Sequence, residues 1–336
     1  MRFCVVKCWT RSNKSDETPH KLIERRFRGN VRRLRLRINM RAFAWFLAVI
    51  LLAGLIGACI AYPAYELTSN FANWAFHRVA SRIAMLVLLV ELVWLCRHLH
   101  LTRKRDFGYG LPWRRFIKVS LLWGAVGMAT ACVGAAFLLA TGLRIRDPEF
   151  TASALSFAHI FLVGVGSGVS VALLEDTVFR GAMHTAIERE SGPWTAALLT
   201  APLFAVLHFF AKARIPAADL GWGSGFDLLQ LSFAPLGHPA LVFDSFLSWL
   251  AVGLILSLTR VLTGNIAVAI GLHAGWVVVL RMLQQATTSG TSPAYSAWVG
   301  HFDGLLGYWL LPWGAAIAAV LWLTRSSWVP HARGVC

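Results

Sequence analysis

The amino-acid sequence predicts an all-α protein, a polytopic transmembrane bundle of about eight spans. The composition indicates a membrane protein, because 57% of the 336 residues are hydrophobic and only 14% are charged. A soluble domain usually carries about 25% charged residues. The hydrophobic residues also form long runs, and a run of about 20 apolar residues can cross the hydrocarbon core. The candidate spans are 42–62, 84–101, 119–141, 153–176, 194–211, 240–260, 265–284 and 305–323.

The basic residues predict the orientation of the spans. Most of the excess charge of +16 lies in three segments beside predicted spans: 2–41, 97–118 and the residues after 324. Cytoplasmic loops carry an excess of Lys and Arg, so both termini are expected in the cytoplasm and the loop 212–239 outside. We expect a multi-pass protein of the bacterial cell (inner) membrane. Anionic lipid headgroups, and not nucleic acid, are the partners that this charge distribution favours.

Two regions of the sequence differ in the pattern of their apolar residues. Residues 1–41 show no apolar periodicity and are predicted to be a disordered, basic cytoplasmic tail; residues 42–325 form the predicted bundle. Met40 lies directly before the first span, so the sequence leaves open whether translation starts at Met1 or at Met40.

Three clusters of polar residues lie inside the predicted spans, where ionisable groups are costly and point to function. They are Glu175, Asp176 and Arg180 in the fourth span, Phe204 and His208 in the fifth, and His273 in the seventh. Asp176 and Arg180 are four residues apart and can pair on one helix face. Glu175 lies about 100° away around the helix and is expected to escape that pair and to point into a cavity.

One carboxylate and two imidazoles around a pocket can activate water and stabilise an oxyanion. The alternative is structural: the three charged residues of the fourth span form one ion-pair network, and each histidine is an ordinary buried side chain. Asp244, isolated in the sixth span, and His184, near the end of the fourth, are interpreted as structural.

Pairs of glycines predict which helix faces approach each other closely. Gly164 and Gly168 form a GxxxG motif in the fourth span, and Gly271 and Gly275 form another in the seventh. Such motifs allow close packing of transmembrane helices. Both glycines of the seventh span lie about 160° from His273, so the packed face and the histidine are expected on opposite sides.

These motifs resemble those of the CPBP family, the CAAX prenyl-protease and bacteriocin-processing (Abi) membrane proteins. The family pattern is EExxxR, then FxxxH, then HxxxN or HxxxD. The chain has Glu175-Asp176-xxx-Arg180, Phe204-xxx-His208 and His273-xxx-Val277, in the same order, within residues 150–285. Asp176 replaces the second Glu, and Val277 replaces the polar residue of the third motif.

The resemblance implies an intramembrane endopeptidase with its catalytic residues at Glu175, His208 and His273, supported by Asp176, Arg180 and Phe204. Glu175 and His208 would activate water, and His273 would polarise the scissile carbonyl. A metal-independent glutamate mechanism is preferred, since there is no HExxH motif. Zinc is the cofactor that remains open, with Glu175, His208 and His273 as its ligands.

The expected substrate is a peptide or protein, either lipidated or membrane-anchored. The change at Val277 favours a second hypothesis, a non-catalytic membrane scaffold or bacteriocin-immunity-type protein on the same fold. A small-solute transporter is a third hypothesis, although neither inverted repeats nor broken helices are evident.

Overall fold

The structure is a computed structural model that describes residues 39–69, 71, 74–210, 213–290 and 296–328. The predicted tail, residues 1–41, lies outside the described residues except for its last three positions, and Arg41 already belongs to the first helix. The described part of the chain is almost entirely helical, as the sequence predicts.

Within the described residues, eight helices correspond one to one to the eight predicted spans. Six are long and apolar enough to cross a membrane: α1 (Arg41–Ser69), α2 (Phe76–His98), α3 (Trp113–Ala140), α4 (Ala154–Asp176, continued to Ser191), α8 (Pro239–Thr263) and α9 (Ala267–Ala286). Two are apolar but shorter: α6 (Pro193–Leu207) and α11 (Leu310–Leu323). The remaining helices are short: α5 (His184–Ser191), α7 (Ser224–Phe233), α10 (Ser296–Val299) and α12 (Arg325–Trp328).

The connections hold structure that the sequence did not predict. The loops 142–152 and 285–304 form a small antiparallel sheet, in which β1 (Arg144–Arg146) pairs with β2 (Thr287–Ser289). The expected external loop 212–239 contains α7, which packs against α1. Single 3-10 turns occupy Lys104–Phe107, Ala217–Asp219 and Ala234–Gly237.

The middle of the bundle consists of α9, which packs against both α3 and α4. The two GxxxG motifs make these contacts, as predicted. A Cβ at Gly168 would stand 2.6 Å from the carbonyl oxygen of Ala274, and one at Gly275 would collide with the carbonyl oxygen of Gly124. Glycine is therefore required on both faces for the backbones to approach this closely.

A seven-residue π-helical segment, Thr177–Met183, joins α4 to α5 without interrupting the long helix. Gly181 lies in this segment, where a Cβ would stand 2.7 Å from the carbonyl oxygen of Phe107. π-helical turns are rare and are frequently found at functional sites. This one begins directly after Glu175 and Asp176 and contains Arg180.

Candidate active site

Asp176 and Arg180 form the predicted ion pair at the centre of the bundle. The Arg180 guanidinium lies 3.2 Å from the Asp176 carboxylate, and neither side chain is exposed. Arg180 also donates to the carbonyl oxygen of Gly253 on α8, at 3.3 Å. Its guanidinium lies over the ring of Phe204, 4.2 Å from the centroid. Arg180 thus connects α4, α6 and α8.

His273 lies between the two acidic residues of the first motif. Its Nδ1 is 3.2 Å from Oδ2 of Asp176, and its Nε2 is 3.9 Å from Oε2 of Glu175. The His273 side chain is 4% exposed, whereas the Glu175 side chain is 31% exposed. Oε2 of Glu175 has no hydrogen-bond partner among the described residues. The fold therefore brings the first and third motifs together and leaves a carboxylate oxygen available for a proton.

His208 occupies the position directly after α6, where that helix ends. Its Nδ1 lies 2.7 Å from the carbonyl oxygen of Phe204, so Nδ1 carries the proton and Nε2 can accept one. The ring is stacked on Trp249 of α8, with centroids 3.7 Å apart and planes inclined by 23°. The backbone of α6 and an indole ring from α8 thus fix the orientation of His208.

Phe204 joins the two imidazoles. Its ring centroid lies 4.5 Å from that of His208 and 6.1 Å from that of His273. The Phe204 ring therefore lies beside both histidine rings. Sequence reasoning missed Trp249, because nothing in the sequence distinguishes it from the other tryptophans.

An apolar cavity begins at His273 and extends between α3, α8, α9 and α11. Val277 and the indole rings of Trp249, Trp276, Trp309 and Trp313 form much of its wall. Glu175 is not among the residues that line this cavity, which departs from the expectation that it points into one. Its partial exposure instead places it at the surface of the bundle, so the site has an exposed side at Glu175 and an apolar side behind His273.

The environment of Val277 explains its apolar character. Its side chain is half-buried and lines the apolar cavity, one helical turn after His273. A polar side chain there would need a partner in a wall built mainly of aliphatic and indole groups. Val277 thus forms part of an apolar wall at the position where the CPBP pattern has Asn or Asp.

Two of the residues interpreted as structural have unexpected surroundings. His184 is fully buried and does not lie at an exposed end of a span. In the helical turn before it, the carbonyl oxygen of Arg180 accepts a hydrogen bond from Arg260 at 3.0 Å. Asp244 is not isolated: its Oδ2 accepts from both Nδ1 and the backbone N–H of His301, at 2.6 and 3.0 Å. The predicted span did not suggest this partner, because His301 lies 57 residues further along the chain.

The metal hypothesis concerns Glu175, His208 and His273. Among the described residues, no group of three or more His, Cys, Asp or Glu side chains is arranged to hold a metal ion. Nδ1 of His208 faces a carbonyl oxygen and Nδ1 of His273 faces a carboxylate. Only the Nε2 atoms of the two rings are therefore not engaged by these acceptors.

In a comparison with protein-family models, residues 154–279 match the Rce1-like family, described as type II CAAX prenyl endopeptidase Rce1-like. The match begins at the first residue of α4 and contains all three motifs. Searches of curated proteins and of solved structures find no match. Together with the six apolar helices, the match supports a multi-pass membrane protein that resembles a protease family over this region. Over residues 154–279, a little over a third of its length, the chain is therefore similar to the Rce1-like CAAX prenyl endopeptidases.

Proposed function

We propose that the protein is an intramembrane endopeptidase of the CAAX type that hydrolyses a peptide bond with water activated by Glu175 and His208. The observation that carries the proposal is Oε2 of Glu175, a buried oxygen without a hydrogen-bond partner among the described residues, 3.9 Å from the imidazole of His273 on a side chain that is 31% exposed. A carboxylate in this position has a free lone pair, a neighbouring proton carrier and access to the surface of the bundle.

The residues support the following reaction. Glu175 takes a proton from water, and Nε2 of His208 accepts the second hydrogen of the water as a hydrogen bond and orients it. The hydroxide oxygen bonds to the carbonyl carbon of the substrate, and His273 lies beside the position of the developing oxyanion. The C–N bond then breaks, and the proton taken from the water passes to the leaving nitrogen.

The mechanism is proposed to be metal-independent. In it Glu175 takes the proton, His208 orients the water and His273 lies beside the oxyanion, so none of the three is used as a metal ligand. The alternative hypothesis, a non-catalytic scaffold on the same fold, rests on Val277. Losing one oxyanion donor lowers the rate by about 10²–10³, which leaves a slower enzyme and does not require an inactive one.

The substrate is proposed to be a membrane-anchored peptide with a CAAX-type C-terminus. The orientation predicted from the basic residues, with both termini in the cytoplasm of a bacterial cell, is part of the same proposal. In this orientation α9 begins on the cytoplasmic side, and His273 is only six residues after its start. Glu175, which lies 3.9 Å from His273, is then also nearer the cytoplasmic end of the bundle.

The test uses the purified full-length protein in detergent and two fluorogenic peptides with the same CAAX sequence, one farnesylated and one not. Cleavage of either peptide by the wild-type protein, its loss in Glu175→Gln and its persistence in EDTA support the proposal. Loss of activity in EDTA that zinc restores would support a metal mechanism at the same residues. No cleavage of either peptide would favour the scaffold hypothesis.

A further inference from the structure

Asp176 uses its two carboxylate oxygens for two different partners. Oδ1 lies 3.2 Å from the Arg180 guanidinium, and Oδ2 lies 3.2 Å from Nδ1 of His273. All three residues are buried, with exposed fractions of 0% for Asp176 and Arg180 and 3% for His273 as whole residues. Water therefore has little access to replace either partner.

The chemistry of these groups determines where the proton of His273 lies. A guanidinium group only donates hydrogen bonds, and the carboxylate paired with it only accepts them. Nδ1 of His273 must therefore carry a hydrogen in order to bond to Asp176. In the neutral ring, Nε2 is then an acceptor, and it faces Oε2 of Glu175 at 3.9 Å.

The surrounding contacts prevent this arrangement from rotating. The Arg180 guanidinium lies over Phe204 and donates to Gly253, so it cannot follow a rotated carboxylate. On the other side, Gly271 and Gly275 hold α9 against α3, which fixes the backbone that carries His273.

We propose that Asp176 is a positioning residue that fixes His273 as the Nδ1–H tautomer and keeps its Nε2 free to receive a proton. The catalytic consequence rests on the proposed function. His273 becomes a hydrogen-bond donor to the oxyanion only after the proton that Glu175 takes from water has moved to Nε2. This imidazolium then returns the proton to the leaving nitrogen, so the number of protons in the site is unchanged after one turnover.

His208 provides an internal control within the same site. Its Nδ1 faces the backbone carbonyl of Phe204, which no side-chain substitution removes. A change at Asp176 should therefore alter the tautomer of His273 and leave that of His208 as it is.

Asp176→Asn is the decisive variant. Its amide oxygen must face the Arg180 guanidinium, which only donates, so its NH₂ group must face Nδ1 of His273. Nδ1 then has to accept, and the hydrogen of the neutral ring moves to Nε2. Asp176→Glu, which keeps the carboxylate, should retain the Nδ1–H tautomer.

The first measurement is ¹⁵N NMR of the full chain in detergent micelles with labelled histidine, assigned by the signals lost in His273→Gln and His208→Gln. We expect Nδ1–H at His273 in the wild-type protein, Nε2–H at His273 in Asp176→Asn, and Nδ1–H at His208 in both. An Nε2–H tautomer at His273 in the wild type overturns the proposal even if the variant does not fold. An unchanged Nδ1–H tautomer of His273 in folded Asp176→Asn protein also overturns the proposal.

The second measurement is hydrolysis of the farnesylated peptide. Asp176→Asn should lower kcat by about 10²–10⁴ and change KM only a few-fold, as expected for a wrong tautomer of a catalytic imidazole. Asp176→Glu should recover most of the rate. A kcat in folded Asp176→Asn within threefold of the wild type contradicts the positioning role. If the wild-type protein cleaves nothing, the proposed function fails, whereas the spectra still decide the tautomer.

Discussion

Two buried polar clusters lie at opposite ends of the α8–α9 region, and they differ in how completely their hydrogen bonds are satisfied. The inner cluster contains Glu175, Asp176 and His273; the outer cluster contains Asp244 and Asp303. Oε2 of Glu175 has no hydrogen-bond partner within the described part of the chain. Asp244 instead accepts from Ser245 and His301, and Asp303 accepts from the backbone N–H groups of Leu305 and Leu306.

This difference separates a cluster that can perform chemistry from one that holds a loop. The outer carboxylates bind backbone N–H groups and fix the segment 300–309, and Arg144 donates to the carbonyl oxygen of Gly304 in the same segment. The outer carboxylates are engaged by the backbone of the loop that they hold. Glu175 instead keeps an oxygen without a hydrogen-bond partner among the described residues, and the adjacent imidazole can take the proton onward.

The largest expected effect is the loss of turnover in Glu175→Gln. The amide keeps the size of the side chain and removes the proton acceptor, so kcat should fall by about 10²–10⁴ while the melting temperature stays near that of the wild type. His208→Ala should cause a comparable loss, and the double variant should be little worse than either single variant, because residues that act as one unit are not additive.

Asp244→Asn is the matched variant in the outer cluster, with the same carboxylate-to-amide change. It should lower the stability by about 1–3 kcal/mol, because a charge-assisted hydrogen bond to His301 is lost, and change kcat only a few-fold. Fluorogenic hydrolysis and thermal melting of both variants check the contrast. Full activity in Glu175→Gln would end the mechanism proposed here.

The next effect concerns the ion pair that supports the inner cluster. Arg180→Ala leaves the buried Asp176 without its counter-charge, which should cost about 3–5 kcal/mol of stability. The yield of folded protein and its resistance to urea in detergent measure this loss. Arg189 is a control on the same long helix: its ion pair with Asp106 is partly exposed, and Arg189→Ala should cost at most about 1 kcal/mol. Equal stability of the two variants would contradict the buried pair.

The sequence predicted the fold, and it predicted which residues meet in the candidate site, because both depend on local patterns. The apolar runs predicted the eight helices that correspond to the spans, and the spacing of Asp176 and Arg180 predicted their ion pair. The GxxxG motifs predicted the close contacts of α9. What could not be predicted depends on distant contacts or on backbone geometry. The π-helical turn, the stacking of Trp249 on His208 and the partnership of Asp244 with His301 are of this kind.

A weaker and pH-dependent effect is expected in the outer cluster. The pKa of Asp303 is raised to about 6, chiefly by burial; the backbone N–H groups of Leu306 and Leu305 and the charge of Arg144 oppose the shift, and the charge of Asp244 adds to it. In the unfolded chain an aspartate has a pKa of about 4. Between these values the folded state binds more protons than the unfolded state, so stability should fall as the pH rises from about 4 to about 6.

The expected loss is at most about 3 kcal/mol for a pKa difference of about two. Urea unfolding at several pH values measures it, and Asp303→Asn should flatten the profile over this interval because the titrating group is gone. A wild-type stability that rises over the same interval, with a slope that Asp303→Asn removes, would show that the folded-state pKa lies below the unfolded one.

The last effect is expected at Val277, and the sign of the change in rate decides what the apolar cavity is for. Val277→Asn restores the polar residue of the related proteins one turn after His273, but it places an amide in a wall of aliphatic and indole groups. An unpartnered buried amide costs about 1–3 kcal/mol. If the amide reaches the position of the oxyanion, kcat should rise by up to about 10²-fold, since one oxyanion donor contributes about that much.

Val277→Thr is the control, because it introduces a hydroxyl on a side chain of nearly the same shape, too short to take the place of the amide. A stability loss in both variants, with a rate gain in Val277→Asn alone, would show that the site retains the geometry for an oxyanion donor and that this chain has lost only the donor. A stability loss without any rate gain would show that the wall at Val277 serves packing. The chemistry would then depend on the imidazolium of His273 alone, and removing Asp176 should be correspondingly more damaging in this chain than in a relative that keeps the polar residue.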